Sequence, residues 1–202
     1  MRRALPVAAL MLWMAPAVAA SLDPGIVGRL AELSLPAPTP QSLIVCHGFG
    51  CKYRTEVALD AADHKQLARL LAAGRASPKA ERQAIGKAVA WFERRVAPEA
   101  GTAKAIARAG PSKSGDPSQF DCIDASTNTT DVLLVLEQLR LLRHHDVIGP
   151  SSRLSLVGHI SFHSTAVLAE HRSGRKWAVD SWTRRNGEVP DIMPLETWSA
   201  AH

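Results

Sequence analysis

One long helical pattern, residues 119–144, limits the possible folds of this chain more than any other feature, because its second half is almost entirely apolar. Ser118 and Asp121 form a Ser-x-x-Asp box, which is typical of a helix N-terminus. The five residues 132–136 are all Val or Leu, so the helix is apolar on every side. Such a helix is buried inside a domain rather than exposed on its surface. We therefore expect one long buried helix, against which the other elements pack.

The segments on either side of this helix indicate the fold class. A helical pattern at 61–73 is followed by a second one that begins at Pro78 and is expected to end near Val96, before Pro98. After an expected turn at 149–152, three runs with β character follow, at 153–160, 162–171 and 176–183. Helices followed by consecutive strands predict an α+β domain. In this domain, N-terminal helices and the long buried helix pack on an antiparallel β-sheet.

The remaining segments define the domain boundaries. The sequence predicts a short helix at 24–33, a stiff Pro-rich connector at 36–40, strands at 42–45 and 53–59, and a wrapping tail at 188–202. We divide the chain into a signal peptide at 1–20, an N-terminal segment at 21–45 and one domain at 46–202.

The first twenty residues have the three parts of a secretory signal peptide. Arg2 and Arg3 supply the positive start, residues 5–18 are almost wholly apolar, and Ala-Val-Ala at 17–19 matches the signal peptidase pattern. The apolar run is too short and too interrupted by proline for a membrane span of roughly 20 residues. The sequence therefore predicts export, with the periplasm as the destination, and no membrane span in the mature chain.

The charge of the chain argues against a nucleic-acid partner. The formal net charge is +5, and it falls to +3 when Arg2 and Arg3 are removed, because 22 basic residues then face 19 acidic ones. Aromatic residues are few, and the basic residues form no long runs. The mild positive charge permits contact with anionic polymers of the cell envelope. Export narrows any substrate to the cell envelope or beyond it.

Two of the three cysteines are close in sequence. Cys46 and Cys51 have four residues between them, two of which are glycine, so in an oxidising compartment they are expected to form a disulfide. A zinc site that uses Cys46, His47 and Cys51 is an alternative, although structural zinc sites usually have a second close pair of ligands. A redox role is a weaker alternative, because thiol–disulfide oxidoreductases have two residues between their cysteines.

Cys122 is then left without a partner. A free cysteine is often a small buried hydrophobic residue, but Cys122 falls near the start of the predicted buried helix, where the helix N-terminus favours a thiolate. Asp121 and Asp124 oppose this effect, so the direction of the pKa shift stays open; Asp124 itself is expected to be solvated or to pack against the helix. We interpret Cys122 as a reactive thiol, which needs a base and an acceptor that orients the base.

His163 and Asp180 are the candidates for these two roles, on adjacent antiparallel strands. With a two-residue turn, Asp180 pairs with Val167 and lies too far from His163 for a hydrogen bond. A four-residue loop at 171–174 pairs Asp180 with Thr165 and brings His163 within side-chain reach. An earlier turn would pair the two residues directly. Every register places both side chains on one face of the sheet, so the hypothesis requires the longer or earlier loop.

Three segments carry a family resemblance. The helix begins with Phe-Asp-Cys-Ile-Asp at 120–124, one strand reads Phe-His-Ser-Thr-Ala-Val-Leu from Phe162, and the next reads Trp-Ala-Val-Asp-Ser-Trp from Trp177. Together they resemble the core of the bacterial transglutaminase-like cysteine proteases, in the papain-like superfamily. The resemblance covers about a third of the chain. It implies Cys122 as the nucleophile, His163 as the base and Asp180 as the orienting acceptor.

The same resemblance implies a reaction. It is thiol-dependent hydrolysis of an amide or peptide bond, or acyl transfer, without a cofactor and without a metal. The Cys122 backbone amide would stabilise the oxyanion, with Gln119 as a second donor by analogy with papain-like enzymes.

Departures from the family pattern motivate a second hypothesis. Thr165 replaces a common aromatic residue, Trp177 lies three rather than four positions before the Asp, and Asp121 replaces a common glycine. The alternative is therefore a catalytically inactive domain that binds an envelope protein or peptide. A zinc site formed by His159 and His163 is disfavoured, because their surroundings predict a strand rather than a helix.

Overall fold

The computed structural model describes residues 22–155 and 161–201, so the predicted signal peptide at 1–20 lies outside the described residues. Within them the chain is mixed α+β, with helices packed against antiparallel sheets, which confirms the expected fold class at this level. The helices are α1 (Pro24–Glu32), α2 (Ala61–Ala72), α3 (Pro78–Ala100), α4 (Cys122–Gln138) and α5 (Leu195–Ala200). The strands are β1 (Ser42–His47), β2 (Tyr53–Ala58), β3 (His145–Ser155), β4 (Ser161–Glu170), β5 (Lys176–Asp180) and β6 (Asp191–Pro194).

The strands form two antiparallel sheets. The smaller sheet pairs β1 with β2, and the larger one has the order β3-β4-β5-β6, in which neighbours in sequence are neighbours in space. The predictions for α1, β1, β2 and α2 are confirmed to within a few residues. The tail, predicted to wrap the domain, contains strand β6 and helix α5.

The predicted turn at 149–152 is wrong, because the chain continues through it as part of β3. The pairing of β3 with β4 shifts register in this segment, so Gly149 and Pro150 lie in a bulge. Proline has no N–H to donate to the ladder, and a bulge tolerates its absence. The Gly149 N–H donates instead to Asp23 Oδ1 at 2.9 Å. A Cβ on Gly149 would lie 2.6 Å from Gly25 Cα, so only glycine permits this contact with α1.

The buried helix is shorter than predicted at both ends. Its cap lies three residues later than expected: Asp121 accepts from the Asp124 N–H at 2.8 Å, and Asp124 accepts from the Asp121 N–H at 3.3 Å. Beyond the other end, Arg140 takes the left-handed conformation, with φ of 56°, and the chain turns towards β3. As a consequence, Cys122 is the first residue of α4.

Helix α3 is longer than predicted, because it continues through Pro98 to Ala100. A proline in the last turn removes one main-chain hydrogen bond, but here Ala97 and Ala100 are buried by the continuation. Gly101 then ends the helix in the left-handed conformation, with φ of 72°.

Helix α4 forms the centre of the domain, between the large sheet and strand β1. Residues 132–136 are at most 1 % exposed, which confirms the prediction of a buried helix. In the part of the chain that the structure describes, no helix has both the length and the apolar character needed to cross a membrane.

Candidate active site

Cys122 lies where the N-terminus of α4 meets strand β4. The residue is buried, and its thiol is free because the other two cysteines of the chain are bonded to each other. The thiol donates to the Phe162 carbonyl oxygen, with the sulfur 3.8 Å from that oxygen. Phe162 directly precedes His163, so the sulfur lies against the backbone of the strand that carries the predicted base. As the first residue of α4, Cys122 also has a backbone N–H without an acceptor inside the helix.

His163 and Asp180 are joined by a hydrogen bond in the large sheet. His163 Nε2 lies 2.6 Å from Asp180 Oδ2. Ala166 pairs with Val179 across β4 and β5, and continuing this register by one residue sets Asp180 opposite Thr165. The structure thus has the register of the predicted four-residue loop, and the imidazole spans the diagonal between the strands.

The second ring nitrogen of His163 has no partner among the described residues. Nδ1 is buried and forms no hydrogen bond with them. Because a carboxylate can only accept, the bond to Asp180 requires Nε2 to carry the hydrogen, which leaves Nδ1 with a free lone pair. The Cys122 thiol is bonded to Phe162 and not to this nitrogen. The structure therefore joins His163 to Asp180 and places the Cys122 sulfur against the backbone of the strand that carries His163, without a thiol–imidazole hydrogen bond.

Two tryptophans enclose the imidazole. The ring centroids of Trp182 and Trp198 lie 4.8 and 5.3 Å from that of His163. Trp198 Nε1 also donates to Asp180 Oδ2 at 2.8 Å, so one carboxylate oxygen binds both the imidazole and the indole. Arg153 packs over the Trp198 ring, with Cζ 4.6 Å from its centroid. No local sequence pattern signals this bond, because the packing of α5 is what brings Trp198 to Asp180.

The surroundings of Cys122 disfavour a thiolate in this arrangement. Burial, together with the negative charges of Asp121 and Asp180, raises the pKa of Cys122 to about 11, against the opposite effect of the Ser164 backbone amide. The sequence left the direction of this shift open. A thiol with this pKa needs a base to react near neutral pH.

The predicted disulfide is present, and its loop caps the start of α4. Cys46 and Cys51 are bonded to each other. The four residues 48–51 all have positive φ, between 57° and 79°. The side-chain amide of Asn128 binds both the N–H and the carbonyl oxygen of Cys46, at 2.7 and 2.8 Å. The loop therefore folds back onto the helix that presents Cys122.

Asp124 holds this loop from the helix side. It is fully buried, and its carboxylate accepts from the Phe49 N–H at 2.7 Å and the Cys51 N–H at 2.6 Å. Asp121 accepts from the Gly50 N–H at 2.9 Å. Burial, together with the charge of Asp121, raises the pKa of Asp124 to about 7, against the effect of these amides. Asp124 is thus not solvated, and it fixes the loop to the first turn of α4.

Gln119 is engaged by a neighbouring loop. Its Oε1 accepts from the Ile106 N–H at 3.0 Å, and its Nε2 donates to Lys104 O at 3.4 Å and to Ser118 Oγ at 3.2 Å. The amide would have to exchange these longer bonds to bind an oxyanion. This role for Gln119 stays a prediction.

The structure does not support either of the two alternative zinc sites. Within residues 22–155 and 161–201, no group of three His, Cys, Asp or Glu side chains is arranged to hold a metal ion. His47 is bonded to Pro117 O at 2.6 Å and to Thr55 Oγ1 at 3.0 Å, and the two cysteines beside it are oxidised. His159 lies outside the described residues.

Glu93 supports the segment that follows Asp180. Its carboxylate accepts from the Gly187 N–H at 2.7 Å. Burial raises the pKa of Glu93 to about 7, although the Gly187 amide and the Ser181 hydroxyl oppose the shift. Since the folded protein then binds the proton more tightly than the unfolded chain, this group's contribution to stability is lost as the pH rises towards 7.

Glu93→Gln should therefore flatten the pH dependence of stability. Between about pH 4.5 and 7 the free energy of unfolding of the unsubstituted protein should fall by on the order of 3 kcal/mol more than that of the variant. Urea titrations of both proteins at several pH values measure this difference. Parallel curves for the two proteins would show that Glu93 titrates normally in the folded state.

Comparison with known proteins gives no relative from which a function could be transferred. No family model, no curated protein and no solved structure matches the chain. The functional argument therefore depends on the geometry of Cys122, His163 and Asp180.

Proposed function

We propose that the protein is a thiol-dependent amide or peptide hydrolase, or an acyl transferase, that uses Cys122, His163 and Asp180. The observation that carries the proposal is the buried hydrogen bond between His163 Nε2 and Asp180 Oδ2. Nδ1 of the same ring has no hydrogen-bond partner among the described residues. The thiol of Cys122, at the start of α4, contacts the backbone of the residue before His163. A carboxylate that orients an imidazole, and an imidazole with a free nitrogen near a thiol, are the parts of a thiol–base catalytic site.

The proposed reaction begins with rotation of the Cys122 side chain from the Phe162 carbonyl towards His163 Nδ1. The imidazole takes the thiol proton, and the thiolate attacks the carbonyl carbon of the substrate. The resulting oxyanion accepts from the Cys122 N–H, which lies at the positive end of α4. His163 then protonates the leaving amine, and the C–N bond breaks to leave a thioester. Attack by water releases the acid and restores the thiol, whereas attack by an amine transfers the acyl group.

The location and class of the protein are part of the proposal. The N-terminal signal pattern supports export to the periplasm, and the disulfide supports an oxidising compartment. The residues of the site stand in the order and on the elements expected of the transglutaminase-like branch of the papain-like superfamily. The substrate is then a protein or peptide of the cell envelope.

Alkylation of Cys122 tests the proposal without a known substrate. At pH 7, iodoacetamide should modify Cys122 at least about tenfold faster than it modifies free cysteine, because His163 takes the thiol proton. Intact mass and peptide mapping would report one added group, located on Cys122. Cys122→Ser should remain unmodified, since the other two cysteines form a disulfide. Labelling no faster than that of free cysteine would contradict the proposal.

A binding module is the second candidate, and a specific observation favours it. The thiol is bonded to the Phe162 carbonyl oxygen, and its pKa is raised, as expected for a buried cysteine that takes part in no chemistry. Slow labelling of Cys122, together with specific retention of envelope peptides by the Cys122→Ser variant, would support this reading.

A further inference from the structure

Arg29 reaches from α1 to the buried side of the candidate active site. Its Nη1 lies 3.4 Å from Ser126 Oγ, and its Nη2 lies 3.4 Å from Ser164 Oγ. Ser126 is one helical turn after Cys122 in α4, and the backbone amide of Ser164 acts on the Cys122 thiol. The guanidinium is thus separated from the nucleophile by a single pair of serines.

The charge of Arg29 has little compensation from nearby anions, although most of its side chain is buried. Its side chain is only 11 % exposed, and its one acidic neighbour among the described residues is Glu32, at 3.6 Å, whose side chain is 71 % exposed. The two hydroxyl contacts are neutral and long, whereas ordinary hydrogen bonds to nitrogen measure about 2.9–3.0 Å. Buried cations are normally paired with an anion and fully hydrogen-bonded. The planar guanidinium can therefore exchange these weak contacts for a carboxylate.

The serines extend this polar cluster to the surface. Ser126 and Ser152 both bond the Ser164 hydroxyl, at 3.1 and 3.4 Å. Ser152 is exposed on β3, whereas Ser126 and Ser164 are buried. The hydroxyls thus form a polar path from solvent to Arg29 beside the thiol.

Two exposed apolar side chains lie on the face of the large sheet that carries Ser152 and Ser164. Leu154 and Phe162 are directly paired across β3 and β4, and they are 61 % and 51 % exposed. Ser152 and Ser164 form the pair two positions away, and residues two apart on a strand share a face. The Phe162 carbonyl is also the acceptor of the Cys122 thiol. An apolar pair and a largely buried cation therefore lie on either side of the β4 segment whose backbone contacts the sulfur.

We propose that Arg29, with Ser126 and Ser164, binds a carboxylate of the acyl donor, and that Leu154 and Phe162 contact an apolar part of the same molecule. This inference rests on the proposed function and narrows its substrate to an acyl donor that is both anionic and apolar near the bond attacked by Cys122. The carboxylate forms two N–H···O bonds with the guanidinium in place of the long hydroxyl contacts, in competition with exposed Glu32.

Paired alkylating agents test this subsite. Iodoacetate and iodoacetamide both form an S–C bond with Cys122 and release iodide, but only iodoacetate carries a carboxylate. In the unsubstituted protein the ratio of the iodoacetate rate to the iodoacetamide rate should exceed the ratio for free cysteine by about tenfold. Arg29→Gln should reduce the ratio to that of free cysteine by slowing iodoacetate alone, and Arg29→Lys should retain part of the preference.

The matched control is Arg95→Gln, which removes a cation of α3 that is bonded to Asp63 and Glu99. Its rate ratio should equal that of the unsubstituted protein, and circular dichroism would confirm that each variant is folded. A preference for iodoacetate that survives in Arg29→Gln would overturn the subsite and assign the attraction to His163 or Arg153. Fast labelling without any preference for iodoacetate would overturn the subsite alone. Slow reaction of Cys122 with both agents would instead refute the proposed function.

Discussion

His163→Ala should slow the alkylation of Cys122 by iodoacetamide at pH 7 by a factor of about 10²–10⁴, the usual contribution of a positioned general base. Burial raises the pKa of Cys122 to about 11, so without the imidazole only a very small fraction of the thiol is ionised at neutral pH. The thiolate is the form that reacts. The variant's rate should therefore rise about tenfold for each pH unit, up to about pH 11. Alkylation rates measured from about pH 6 to 11 would give the pH–rate profiles of the unsubstituted protein and of His163→Ala.

A histidine elsewhere in the same sheet region provides the control. His171 is exposed and bonded to Asp146, so His171→Ala should leave the rate and the profile unchanged. Asp180→Asn should give an intermediate rate, because Nε2 of His163 loses the carboxylate that orients the ring and stabilises its charged form. Identical profiles for His163→Ala and the unsubstituted protein would show that the imidazole does not take the thiol proton.

The sequence was sufficient to predict the α+β class, because the features that indicate it are local. Alternation along the strands and apolar periodicity along the helices depend only on neighbouring residues. The disulfide between Cys46 and Cys51 could be predicted for the same reason, since only a short loop separates them. His163 and Asp180 required one further step, the length of the hairpin loop, and the sequence reduced it to a few discrete registers.

The errors lie where tertiary contacts override local signals. Pro98 signals a helix end, but burial of Ala100 carries α3 past it. Gly149 and Pro150 signal a turn, but the contact of Gly149 with α1 and the pairing of β3 with β4 keep the chain extended. The bond from Trp198 to Asp180 joins residues on separate elements, and no periodic pattern encodes it.

The largest loss of stability is expected for Asp124, which joins the disulfide loop to α4. Its carboxylate accepts from the backbone amides of Phe49, Cys51 and Asp121. Asp124→Ala leaves these donors without their partner, and an unpaired buried donor costs about 1–3 kcal/mol. We therefore expect the free energy of unfolding to fall by at least about 3 kcal/mol. Urea denaturation near neutral pH measures the loss.

Asp124→Asn tests the hydrogen-bond acceptors of this side chain while keeping its shape. An amide has almost the same volume, but only its oxygen can accept, so one set of backbone donors then faces an NH₂ group. The loss should be smaller than for alanine, and amide hydrogen exchange should accelerate at Phe49 or Cys51 rather than across α4. Asp146→Asn, at an exposed side chain, is the matched control and should change stability by less than about 0.5 kcal/mol. A loss below about 1 kcal/mol for Asp124→Ala would mean that the disulfide alone holds the loop against the helix that presents Cys122.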